Sequence, residues 1–294
     1  MTQRGTAEMT NRSLWRKTYR SSADGTLLAA VMAVIALAAP CGCDRENAQE
    51  YPQEYQLAWE DDFEGPAGQS PDTTKWRFDI GTNWGNAQLE YDTDRPENAS
   101  LDGNGNLAIT ALKETYLGCE YTSARMITWG HFKQAYGKFE ARIRLPEGQG
   151  LWPAFWLLGA DFDAVGWPAC GEIDIMEYRG QEPNVVQGSL HGPGYYGGGA
   201  ITRRHILEGA GFDAGFHVFA IEWSENRITW MVDNKSYLAV TPQDLPDGGR
   251  WVFNHPFFII LNVAVGGNFV GPPNDSTTFP QTMLVDWVRV YRRG

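Results

Sequence analysis

Residues 136–145, YGKFEARIRL, alternate in character: Phe139, Ala141, Ile143 and Leu145 are apolar, while Lys138, Glu140, Arg142 and Arg144 are charged. A period of two is that of a β-strand with one face on a core and one in water, and a helix cannot sort such a sequence. The run 257–265, FFIILNVAV, is apolar at nearly every position, as a strand covered on both faces must be. Residues 218–232 read as two strands joined at Ser224-Glu225-Asn226, and 284–292, LVDWVRVYR, as a closing strand. After residue 43 no stretch keeps apolar side chains at i, i+3, i+4 and i+7 over a helix's length. The 33 Gly and 16 Pro supply turns. About a dozen short strands of this kind imply an all-β sandwich, two antiparallel sheets packed face to face. A concave outer face on one sheet would make a cleft for a long polymer.

The formal net charge of -12, with no Lys/Arg-rich block after residue 20, argues against a nucleic-acid partner. It also favours a neutral substrate over a polyanion, which an acidic surface would repel. The N-terminus has the form of a leader. Arg12, Arg16, Lys17 and Arg20 precede an apolar run, Leu27–Ala39. That run is shorter than the ~20 residues a membrane-spanning helix needs, but it suits the core of a signal peptide. It ends in Pro40-Cys41-Gly42-Cys43, similar to a lipoprotein processing site with Cys43 as the lipidated residue, although Pro40 stands where an aliphatic residue is usual. The alternative is ordinary cleavage nearby and a soluble product. The expected organisation is a signal peptide of lipoprotein type over 1–43, a polar tether over 44–56 and one catalytic domain over 57–294. Such a protein is exported, either extracellular or lipid-anchored at the cell envelope, and is expected to act as a monomer. Cys119 and Cys170 remain in the exported part, either as one disulfide or as two free thiols.

The segment that carries chemistry is 171–180, GEIDIMEYRG. On a strand, Glu172 and Asp174 share a face, and Ile173 and Ile175 point to the core. Glu177 is five residues from Glu172 and would point inward, where a lone carboxylate is costly. One extra residue restores parity: with a β-bulge at Met176, all three carboxyls line one face. Two glutamates so placed can act as nucleophile and general acid/base of a retaining glycosidase, whose carboxyls lie ~5–5.5 Å apart. Asp174 between them adds a like charge that helps keep one acid protonated. An acidic strand face can also be no more than solvated surface. The surrounding Trp152, Trp156 and Trp167 favour the sugar reading, because flat rings stack on sugars, although each Trp alone could equally serve the core.

With these segments in hand, residues 57–292 resemble glycoside hydrolase family 16, and GEIDIME resembles its laminarinase-like branch. The resemblance extends over NWGNAQLEY (83–91), YTSARMIT (121–128), YGKFEARIRLPEGQGLWPAFWLLG (136–159), GSLHGPGY (188–195), FHVFAIEW (216–223), LNVAVGGNFVG (261–271) and LVDWVRVY (284–291). It implies a β-jelly-roll and retaining endo-hydrolysis of a β-1,3-glucan, and also of mixed-linkage β-1,3-1,4-glucan. By its motif Glu172 is the nucleophile, Asp174 its hydrogen-bonding assistant and Glu177 the acid/base. Trp167, Trp152, His191, Asn86 and Arg125 fall in substrate-binding segments. The chemistry needs no cofactor. The resemblance also implies a structural calcium away from the cleft, with Asp286 as its carboxylate and the carbonyls of Gly103 and Asp62 as further oxygen ligands. The alternative for Asp286 is a pair with a nearby arginine. Phe269 and Cys170 depart from the common pattern. A non-catalytic glucan-binding protein and a transglycosylase are the competing readings on the same fold.

Overall fold

The computed structural model describes residues 55–294. The leader, Cys43 and nearly all of the tether lie outside the described residues. The strands run β1 (Tyr55–Asp61), β2 (Arg77–Phe78), β3 (Glu90–Asp92), β4 (Ala99–Leu101), β5 (Leu107–Tyr116) and β6 (Cys119–Ser123). They continue as β7 (Arg125–Ile127), β8 (Gly137–Arg144), β9 (Leu151–Gly159), β10 (Glu172–Tyr178), β11 (Val185–His191) and β12 (Ile201–Ile206). The last are β13 (His217–Ser224), β14 (Arg227–Val232), β15 (Lys235–Val240), β16 (Phe257–Val265) and β17 (Gln281–Arg293). One sheet has the order β15-β14-β13-β8-β17-β5-β6-β3, with β1 on β17 and β4 on β5. The other, seven-stranded, has the order β12-β11-β10-β9-β16-β7-β2. Pairing is antiparallel throughout except between β3 and β6, which run parallel.

The alternation in 136–145 sorts as the period demands. Phe139, Ala141 and Ile143 are fully buried between the sheets. The charged face is drier than a free surface at one point: Glu140 is buried, and Lys138 Nζ neutralises it at 2.6 Å. The β13–β14 hairpin closes at Ser224 and Arg227. All nine residues of β16 are buried, for two separate reasons. Phe257, Ile259, Leu261 and Val263 face the main core, whereas Phe258 and Ile260 join Ile127, Leu158 and Cys170 in a second apolar cluster on the outer face, covered by Trp129 and Trp156. Cys119 and Cys170 are both free thiols, so the disulfide alternative does not hold.

The strand that matters most, β10, contains the expected irregularity. Against β9, Asp174 pairs with Trp156 and Met176 with the very next residue, Phe155. Against β11, Asp174 pairs with Ser189 and Glu177 with Gln187. One residue is therefore extra, at Ile175–Met176, and both of those side chains are buried in the core. A bulge disrupts the ladder and frees backbone groups that must find partners. Trp230 of the opposite sheet reaches across the core and donates its indole N–H to the Asp174 carbonyl at 2.8 Å. That approach needs a glycine on β11: a Cβ at Gly188 would lie 2.4 Å from Trp230 Cδ1.

Candidate active site

The bulge sets the outer face of the seven-stranded sheet. Across the strands at one level stand Arg204, Gln187, Glu177, Ala154, Asn262 and Arg125. At the next stand Thr202, Ser189, Asp174, Trp156, Ile260 and Ile127. At the third stand His191, Glu172, Leu158 and Phe258. The floor is thus polar along the Glu177 row and dry beside Glu172, where the second apolar cluster closes the face.

Each glutamate is held by its own tryptophan. Trp167 Nε1 donates to Glu172 Oε2 at 2.7 Å, and Trp152 Nε1 donates to Glu177 Oε1 at 3.2 Å. Glu177 Oε2 also accepts from Ser189 Oγ at 3.0 Å and Gln187 Nε2 at 3.2 Å. His191 Nε2 lies 3.1 Å from Asp174 Oδ2 and 3.9 Å from Glu172 Oε1. On its other side, His191 Nδ1 accepts the Gly197 amide at 3.1 Å. In the neutral ring the proton therefore sits on Nε2 and faces the carboxyls.

Glu172, Asp174 and His191 bring one ligand atom each within 4.8 Å of one another, a spacing a metal could also use. The hydrogen bonding argues otherwise. A ligating histidine donates its second ring N–H outward. Here Nδ1 accepts instead, so Nε2 keeps its proton and has no lone pair to offer.

Electrostatics follow from the dry wall. Burial is the largest influence on Glu172 and, with Asp174 next, pushes its carboxyl up to about 8, while His191 and the Trp167 N–H pull the other way. Asp174 is raised as well, by burial first and then by Glu177, with a hydrogen bond to Glu172 opposing. The pair holds a proton near neutral pH.

A model of "Glycosyl hydrolases family 16" matches residues 81–289. The chain belongs to glycoside hydrolase family 16. It is 41% identical over 260 residues to a beta-glucanase of Rhodothermus marinus, covering 85% of this chain and 89% of that protein. Its fold matches the laminarinase catalytic domain of Thermotoga maritima MSB8 with a TM-score of 0.77 and 46% identity, over 82% of this chain and 99% of that one. It matches an endo-beta-1,3-glucanase from Pyrococcus furiosus equally, with a TM-score of 0.77 and 44% identity, over 82% and 96% of the two chains. The sandwich is the jelly-roll of these laminarinases, and the chain is a glycoside hydrolase.

The remaining residues of this family 16 enzyme fall in three places. Arg125 is fixed at the β7 end of the cleft. Its guanidinium lies between the rings of Trp84 (4.8 Å) and Trp156 (4.9 Å), and Nε donates to Asp79 at 3.2 Å. Asn86 is exposed, and its carbonyl accepts the Asn268 amide at 2.8 Å, joining two loops. Trp152 packs on Phe269, which lies under Arg179. Asp286 is ion-paired with Arg142, the alternative weighed for it, and the Asp62 carboxylate accepts from Arg289 at 2.9 Å. At Asp286 the expected calcium ligand is therefore engaged in an ion pair. The one side-chain ligand expected is already neutralised, and an ion there would have to displace a guanidinium. No step at the cleft depends on that site.

Sequence reasoning passed over Gln187 and Ser189. The signal was present: in 185–191, VVQGSLH, the polar positions Gln187, Ser189 and His191 alternate at a period of two. The bulge gives a direct test. Deleting Met176 removes the extra residue and re-aims Glu177, and kcat is expected to fall on the order of 100-fold, as small misplacements of reacting groups do. Steady-state kinetics on a folded variant check this, and an unchanged kcat would mean that the bulge does not set the acid's position.

Proposed function

We propose that this chain is an exported, endo-acting, retaining hydrolase of β-1,3-glucan that also accepts mixed-linkage β-1,3-1,4-glucan. The observation that carries the reading is the bulge at Ile175–Met176, which puts Glu172, Asp174 and Glu177 on one open face. Glu172 is the nucleophile. Its carboxylate attacks the anomeric carbon while Glu177 protonates the departing glycosidic oxygen, and a covalent glycosyl-enzyme results. Glu177 then takes a proton from water as that water attacks the same carbon, which releases the sugar with its configuration kept. Asp174, also raised by burial and hydrogen-bonded to Glu172, is a neighbouring acceptor for the proton that Glu172 must give up before it attacks. The donors on Glu177 from Trp152, Ser189 and Gln187 stabilise the carboxylate that forms as it gives up its proton.

Relatives named as laminarinases and endo-1,3-beta-glucanases support the substrate class. So does the pairing of the arginines nearest Glu177, since Arg125 is bound to Asp79 and two indole faces while Arg204 and Arg179 are both paired with Glu182, which leaves no free cation for a polyanion among these residues. The intact pair of glutamates, each with its own indole donor, favours catalysis over a purely glucan-binding role. The basic and apolar character of residues 12–39 and the cysteines that follow support export, with lipidation at Cys43. Early proton NMR of laminarin digestion should give the β-anomer first, with a quick fall in viscosity and a ladder of oligosaccharides. An α-anomer first, release of glucose alone, or faster cutting of agarose or carrageenan than of laminarin would each refute the reading.

A further inference from the structure

Beside Glu172 the cleft ends in a second aromatic ring that the mechanism leaves unused. Tyr196 is 50% exposed, and Trp167 is 43% exposed. Their centroids lie 5.3 Å apart with the planes inclined at 78°. Neither ring is free to drift. Trp167 is tied to Glu172 through its N–H. Tyr196 sits in a Gly-rich segment, 192–200, braced on both sides. Before it, Tyr195 is buried, pairs back to Gly192, and donates its hydroxyl to the Arg250 carbonyl at 2.8 Å. After it, the Gly197 amide is bound to His191 Nδ1. An exposed phenol this firmly held costs little order on binding a partner.

We propose that Tyr196 is a specificity-determining residue, which forms with Trp167 an aromatic corner that takes two consecutive sugar rings of a β-1,3-linked chain. This rests on the β-1,3-glucan reading above. The argument is one of angle. Aromatic side chains hold pyranoses by stacking face to face. Two sugars stacked on planes inclined at 78° must themselves be inclined. Consecutive rings of a β-1,4 chain lie nearly coplanar in a flat ribbon and cannot use both faces. Consecutive rings of a β-1,3 chain turn relative to one another, as the corner requires. The corner adjoins the Glu172 row, so a chain bound there continues into the reacting position. The same loop fixes His191, which makes it part of the supporting structure of the nucleophile as well.

The test is Tyr196→Ala on laminari-oligosaccharides from the trimer to the hexamer and on lichenan, with circular dichroism to confirm folding. The expected result is a loss of kcat/KM that grows with chain length, reaching about tenfold on the hexamer, the effect of one lost stacking contact, and that is smaller on lichenan. Tyr196→Phe, which keeps the ring, restores the length dependence. An equal loss on every substrate would assign Tyr196 a merely structural role and overturn the proposal, as would no loss at all. Wild-type protein inactive on laminarin but active on another polymer would instead bring down the β-1,3-glucan reading itself.

Discussion

Glu172→Gln and Glu177→Gln are each expected to lower kcat on laminarin by about 1,000-fold or more while the protein stays folded. Neither carboxylate supports the fold. Both stand on the outer face, partly exposed, and the partners they would lose are tryptophan, serine and glutamine donors that water can satisfy. The two variants should differ on an aryl β-glucoside whose leaving group needs no proton. Glu177→Gln can still form the glycosyl-enzyme from it, because Glu172 attacks unaided, so a burst of aryl alcohol should precede a slow phase. Glu172→Gln has no nucleophile and should give no burst. A burst from the Glu172 variant and none from the Glu177 variant would reverse the roles. Near-wild-type turnover on laminarin by either variant would remove both assignments.

The difference between the two glutamates was only partly legible in the sequence. Parity alone required a bulge, since Glu177 cannot share a face with Glu172 at a spacing of five, and the structure has it at Ile175–Met176. The strands at 136–145 and 257–265 were legible because burial on one face or two leaves a direct mark on the order of side chains. What the sequence concealed are contacts between strands far apart in the chain. Trp152 and Trp167 read as sugar platforms, yet each also donates its indole N–H to a catalytic carboxylate, and nothing local to residue 152 announces residue 177. The brace of Trp230 on the Asp174 carbonyl crosses between sheets. The His191 environment depends on a backbone amide at Gly197, which no side-chain pattern encodes. Asp286 was ambiguous for a similar reason. A carboxylate on the last strand can meet a cation of either kind, and only the register of β17 against β8 puts Arg142 beside it.

The Glu172 environment has a thermodynamic consequence besides its chemical one. The carboxyl is raised from the ordinary glutamate value of 4.5 to about 8, chiefly by burial against the dry wall and then by Asp174. Below pH 4.5 it is protonated in both the folded and the unfolded chain, and it leaves stability unchanged. Between 4.5 and 8 the unfolded chain has released the proton and the folded chain keeps it, so folding takes up a proton and stability falls as pH rises. Above the folded value the loss levels off, at a total on the order of a few kcal/mol. Glutamine keeps the shape and the capacity to hydrogen-bond but never titrates. The melting temperature of Glu172→Gln should therefore exceed that of wild type by a margin that is small near pH 4.5 and widens steadily toward pH 8. The active site would then be a place where catalysis opposes stability, because the carboxyl that the reaction needs sits where its ionisation costs folding free energy. A margin that stays flat with pH, or narrows as pH rises, would show that Glu172 ionises as easily in the folded protein as in water. In that case the second apolar cluster of Leu158, Phe258 and Ile260 would not be what sets the nucleophile's surroundings.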